Sequence, residues 1–348
     1  MLVLPERAGP ADPMGSSPGR RDGSARRTTN IDTSRPNGPQ ENSVVDARAR
    51  DLVTGPSREA TYLCDQNIRA QIAPNRELIA VESDPPEPRL TQLLGSLVGP
   101  GFRARMSGIL PDHVARQSLL HALLDDLPVA TLVSGYALLR GGTTTRPANE
   151  PASRAYERHV QASADMCAGW ATDATIIVTF RQKGSSPVPM GPDAPLLERE
   201  GDPLSWHSMA PLPREATRRR RRLDLIPRTA DRARAWTFDS HFRDSYRDVE
   251  GTESVVHEYV VEGSPDEAMH RIEEVRTEAR VLPWVECPAA VGSSARLVAK
   301  PIAELRVQVR NEFVGTSTCT HLNDAFRFLS DLIPLHVLLA IQPTAPTQ

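Results

Sequence analysis

The chain repeats itself, and that repetition constrains its fold more than any other feature. The stretch "RRTTNIDTSRPNGPQENSVVDARARDL", opening at Arg26, and "RRLDLIPRTADRARAWTFDSHFRDS", opening at Arg221, share one layout. Each has a basic pair, a short step ending in Asp, a turn, and a strand-like run closing on Arg-Asp. Laying "VVDARARD" (Val44 to Asp51) on "TFDSHFRD" (Thr237 to Asp244) puts Asp46 on Asp239, Arg50 on Arg243 and Asp51 on Asp244. Downstream, "AVESDPPEPRLTQLLGSLV" lies on "WVECPAAVGSSARLVAKPI", and "SLLHALLDDLP" on "HLNDAFRFLSDLIP". In both copies short β-rich runs precede helical spacing, which predicts a duplicated α+β unit of about 100 to 120 residues, an antiparallel sheet followed by helices.

The expected organisation is a disordered tail over 1–25, a first and degenerate unit over 26–140, and a linker over 141–214. A second unit over 215–340 carries the chemistry, and 341–348 form a second tail. In the first unit "NSVVDARARDL", "ATYLCDQNIRAQI" and "NRELIAVESD" read as three strands. "DPPEP" breaks the run, and two helical segments follow. The linker holds a helical stretch ending in "CAGWA", an apolar strand "ATIIVTF", and a Pro-rich stretch from Lys183 to Pro213 with little periodicity.

With 348 residues there is room for two cores, and a formal charge of −3 with 24% charged residues describes an ordinary globular composition. Nucleic acid is not an expected partner. The run Arg218 to Arg222 has no aromatic residues interleaved and reads as a solvated strand start. No apolar run approaches the roughly 18 residues of a membrane span, and the short apolar start "MLVLPERAGPADP" is unlike a signal peptide. A cytoplasmic location is expected, and with it four reduced thiols.

Reactive side chains gather in the second copy. Asp239, His241 and Asp244 fall on one strand, His257 and Glu258 on the next, Cys287 precedes a proline, and Cys319 and His321 stand just before a helix. His241 occupies the place of Arg48, and the Cys319–His321 insert has no counterpart in the first copy. A helix start favours an anion, which predicts a thiolate at Cys319. Two readings stay open. His241, His257, Cys287, Cys319 and His321 suit zinc or iron as ligands. Alternatively, Cys319 is a nucleophile with His321 or His257 as base and Asp239 or Asp244 orienting a ring. Cys64 and Cys167 read as packing residues, and His121 as an ordinary helix residue.

At these residues the second half resembles a bacterial family known as domain of unknown function 2889. The likeness is carried by "WTFDSHFRD" from Trp236, "HEY" from His257, "WVECP" from Trp284 and "TCTHL" from Thr318, over about 215 to 335. The first copy and "CAGWA" resemble the family's long, duplicated members. Thr318 stands where the family's box has glycine, as does Ala299 in "LVAKPI". The resemblance implies one site for His241, His257, Cys287, Cys319 and His321 and supplies no activity. A more distant likeness, in layout alone, is to NifU-like iron–sulfur scaffolds. The functions expected are a metal-binding or thiol-dependent enzyme acting on a small molecule, a non-catalytic metal or iron–sulfur carrier, or an interaction module for a partner enzyme.

Overall fold

A computed structural model describes residues 9–141, 157, 161, 163–183, 188–228 and 236–341. Its strands are β1 (Ala25–Ser34), β2 (Ser43–Thr54), β3 (Ala60–Ile72), β4 (Leu78–Asp84), β5 (Ala216–Pro227), β6 (Trp236–Arg247), β7 (Glu253–Pro265) and β8 (Ile272–Val281). They form one antiparallel eight-stranded sheet in the order β4-β3-β2-β1-β5-β6-β7-β8. The α+β expectation holds in this form, with the two four-stranded halves fused along β1 and β5 into one sheet. "RRTTNIDTS", which lacks the apolar alternation of the three strands expected in this half, is β1 and sits at the centre.

Helices cover one face. From the first half come α1 (Phe102–Ile109), α2 (Pro111–Arg116), α3 (Leu119–Val133) and α4 (Gly135–Arg140). Ser118 caps α3, its hydroxyl accepting from the His121 amide at 3.2 Å. From the second half come α6 (Leu305–Glu312), α7 (Thr320–Phe328) and α8 (Leu332–Ile341). The stretch Leu119–Arg140 is long and apolar enough to cross a membrane, but it is mostly buried in the protein. The second half's core joins Phe238, Phe242, Tyr259, Phe326 and Leu329 with residues of the α6–α8 layer. Burying each such side chain stabilises the fold by roughly 1.5–3 kcal/mol.

Several sequence expectations are corrected here. "ATIIVTF" lies in a helix, α5 (Thr175–Lys183), not a strand: a continuous apolar run does not by itself tell the two apart. Residues 9–25 are not a disordered tail. Asp12 N donates to Arg280 O at 3.0 Å, Ser17 is fully buried, and its hydroxyl accepts from Trp206 Nε1 at 2.6 Å. Pro18, Ser205 and Ala210 carbonyls accept from Arg26 and Arg218, and Met14 and Pro195 carbonyls from Arg243, so parts of 9–24 and 188–215 cover the sheet face opposite the helices. The linker is therefore a layer of the fold over its described part, fixed by His207 between Thr28 Oγ1 (2.8 Å) and Asn30 Oδ1 (2.6 Å). Ile341 ends α8, and 1–8 and 342–348 lie outside the described residues.

The arginine run is the largest departure. Arg218 to Arg222 are all buried, in the central strand β5. Alternation along a strand sends successive side chains to opposite faces. Arg219 and Arg221 thus reach the helices, and Arg218, Arg220 and Arg222 the other layer. Burying a guanidinium is tolerable only when it is paired. Arg218 meets Asp32, Arg219 meets Asp244, Asp126 and Asp324, Arg220 meets Glu198 and Glu253, Arg221 meets Asp126, and Arg222 meets Asp224 and Asp239.

Candidate metal centre beside a group of thiols

The site forms where β6, β7 and the start of α7 meet. Asp244 of β6 pairs across the sheet with His257 of β7, so both side chains point toward the helices. α7 begins at Thr320 with Cys319 as its N-cap and brings His321 over them. The rings of His257 and His321 stack, with centroids 3.6 Å apart and planes 19° from parallel. His257 Nδ1 lies 3.4 Å from Asp244 Oδ2. One ligand atom from each of Asp244, His257 and His321 falls within 4.8 Å of the others, the one such group among the described residues. Asp244 is buried and both rings are half-buried.

Charge around the group is fixed from below. Arg219 grips Asp244 at both oxygens, Nε at 2.9 Å and Nη2 at 3.0 Å. Burial alone would raise the Asp244 carboxyl; Arg219 and the two imidazoles hold it well below the usual carboxylate range. Burial, with His257 beside it, pushes His321 far below the usual imidazole range, only partly opposed by Asp244. His321 is therefore neutral at physiological pH, the form in which imidazole binds a metal. Ring lone pairs lie in the ring plane, so two nearly parallel stacked rings do not aim at one point. Capturing an ion requires one of them to turn.

Cys319 Sγ is 3.9 Å from His321 Nδ1. On its other side it faces the Tyr259 hydroxyl, which is buried and has no well-formed hydrogen bond. Cys287 packs in the same apolar cluster as Cys319, and Gly169, two residues after Cys167, abuts the Cys287 sulfur. The expected thiolate at the helix start is not what the environment favours. Burial pushes the Cys319 thiol up, outweighing the Tyr259 hydroxyl and the Leu322 and His321 amides that pull it down. Cys287 is pushed up by burial and the two neighbouring thiols, and Cys167, by burial and Cys319, to about 11.

The predicted set thus divides. His257, His321, Asp244 and Cys319 come together, and Cys287 belongs to the same buried apolar cluster as Cys319. His241 and Asp239 do not join them, because both project from the opposite face of β6. His241 Nε2 contacts Glu258 Oε1 at 3.1 Å, and Glu258 also accepts from Arg243 Nε at 2.8 Å. Asp239 accepts from Arg222 at 2.7 Å. Burial pushes His241 down to about 4 against the pull of Glu258, a neutral packing histidine.

Sequence reasoning missed Cys167, Tyr259 and Arg219. Tyr259 was legible as the residue two places after His257 on one strand face, and Arg219 only through its pairing register with Asp244. Thr318 is not among the residues with positive φ, so the box closes without glycine; its hydroxyl donates to Gly315 O at 3.1 Å. Ala299, by contrast, does adopt φ 65°, the region that favours glycine.

Fold and site together define an α+β protein whose central sheet carries a carboxylate–imidazole group with thiols alongside. Residues 217–333 match the model of a family described as protein of unknown function (DUF2889). The match runs from β5 into α8 and covers every residue of the candidate metal group, with Cys167 outside it. No curated protein and no solved structure matches the chain.

Proposed function

We propose that the second half is a metal-dependent enzyme acting on a small molecule, with zinc or iron held by Asp244, His257 and His321. The observation that carries this is the meeting of their ligand atoms within 4.8 Å, with both rings half-buried. Two imidazoles and a carboxylate are the ligand set of sites that keep positions free for water or substrate. An ion there would polarise an oxygen bound at a free position. Arg219 keeps Asp244 ionised, and the buried surroundings keep His321 unprotonated. The reading of Cys319 as a metal-free nucleophile has less support, since the same burial disfavours both its thiolate and a protonated His321.

The test is metal analysis of full-length protein purified with zinc or iron(II), beside the double variant His257→Ala/His321→Ala. About one equivalent of metal in the wild type, lost in a variant that still melts cooperatively, is the expected result. Equal metal content in both, or none in either, overturns the assignment.

We also read the chain as a duplicated unit. Arg26–Asp224 and Arg218–Asp32 are reciprocal pairs across the β1–β5 seam. Arg27 reaches Asp331 as Arg219 reaches Asp126, each strand arginine meeting an aspartate from the other half's helical layer. The same layout, with Cys287 after the last strand and Cys319 opening a helix, motivates the iron–sulfur carrier alternative. Anaerobic reconstitution that yields no cluster absorbance would remove it. Four free cysteines accord with a reducing, cytoplasmic setting.

A further inference from the structure

We infer that Cys167, Cys287 and Cys319 form a second, thiolate site for a soft divalent ion of the zinc class, adjoining the Asp244–His257–His321 group. The three thiols are free and buried, and they come from separate parts of the chain: the segment before α5, the 3-10 turn Cys287–Leu297, and the cap of α7. The Tyr259 hydroxyl, fully buried and without a well-formed hydrogen bond, lies beside Cys319. The segment carrying Cys167 is held against the other two. Ala168 N donates to Thr318 O at 2.9 Å, and Gly169 sits so close to Cys287 that an added Cβ would come 2.6 Å from its sulfur.

A bound cation removes the cost that burial imposes on a thiolate. Each thiol that binds loses its proton, so three S–H bonds give way to three metal–sulfur bonds and three protons leave to solvent. As found, the three sulfurs do not all lie within 4.8 Å of one another, the described residues containing one such group, the imidazole–carboxylate one. A rotamer change at one cysteine moves its sulfur by about 3 Å, the adjustment that closure on an ion requires.

The inference is independent of an ion at Asp244, His257 and His321, and the test separates the two. Full-length, fully reduced Cys64→Ser protein, lacking the exposed thiol, is loaded with cadmium and examined by ultraviolet absorption and X-ray absorption. The expected result is a sulfur-to-cadmium charge-transfer band, a shell of three sulfurs, and persistence of both in His257→Ala/His321→Ala. Adding Cys167→Ser should weaken the band and remove one sulfur. A shell of nitrogen and oxygen with at most one sulfur overturns this inference and leaves the imidazole group standing. Failure to retain cadmium overturns it as well. The shell is measured on protein with all three buried cysteines intact, so the outcome stands even if Cys167→Ser does not fold.

Discussion

Asp244 shows how tightly the site is tied to the interior. Its carboxylate serves Arg219 as well as His257, and Arg219 also serves Asp126 and Asp324. Asp244→Asn leaves a buried guanidinium short of a partner, and a loss of about 3–5 kcal/mol is expected in urea unfolding. The thiols make a second residue-scale prediction. Cys64 is exposed, whereas the other three are buried with raised pKa values. Mass spectrometry after brief iodoacetamide treatment near neutral pH should find one alkylated cysteine in native protein and four in denaturant. Closeness in sequence made Cys319 and His321 legible as a pair, whereas the joining of His257 to them rested on the order of motifs shared with the resembling family and not on spacing. Spacing could not decide the side of β6, because Asp239, His241 and Asp244 are close in sequence and only alternation separates the first two from the third.

Among elements, β5 is the least readable and the most informative. Five consecutive arginines resemble a solvated run until their partners are known, and apart from Asp224 those partners lie well away in sequence: Asp32, Asp126, Glu198, Asp239, Asp244, Glu253 and Asp324. The aromatic ring of Phe242 lies under two of them, with Arg219 and Arg221 Cζ at 4.9 and 5.1 Å from its centroid. Arg221→Ala removes a buried partner of Asp126 and a contact with Phe242. A loss of about 3–5 kcal/mol is expected, with little dependence on salt because the pair is buried. Arg116→Ala, at the exposed Asp112 pair, should change stability by no more than about 1 kcal/mol in the same assay. The α+β class and the six strands outside the β1–β5 seam, read in the first unit and implied by the repeat in the second, were accessible because apolar periodicity is local. The covering layer 188–215 was not, because its burial comes from docking onto a charged sheet and not from a period of its own.

At the scale of the whole molecule, buried ionisable groups set the response to acid. His121 and His241 are pushed down to about 4 and His207 to about 3, burial being the largest cause in each. Below the ordinary imidazole value of 6.5 the unfolded chain takes up protons that these rings refuse. Their stabilising share is complete above that pH and declines as the pH falls toward 4, by up to about 1.4 kcal/mol per pH unit for each histidine. Asp125, Asp126, Asp224 and Asp331 are held below their ordinary 3.8 by arginine partners despite burial. Their share is complete above pH 3.8 and disappears as the pH falls through the lower folded values. The melting temperature should therefore start to drop near pH 6.5 and fall steeply below about pH 4; a flat profile from pH 7 to 4 would contradict the histidine assignments. The seam between β1 and β5 carries one more consequence. Arg26 faces Asp224 and Asp32 faces Arg218, while β5 itself contains both Arg218 and Asp224. A fragment beginning near Arg214 would bare that strand, yet two such fragments laid antiparallel could each lend the other the missing charges. Sedimentation should find it self-associated, with the covalent join in the intact chain acting as a tether that makes an intermolecular partner unnecessary.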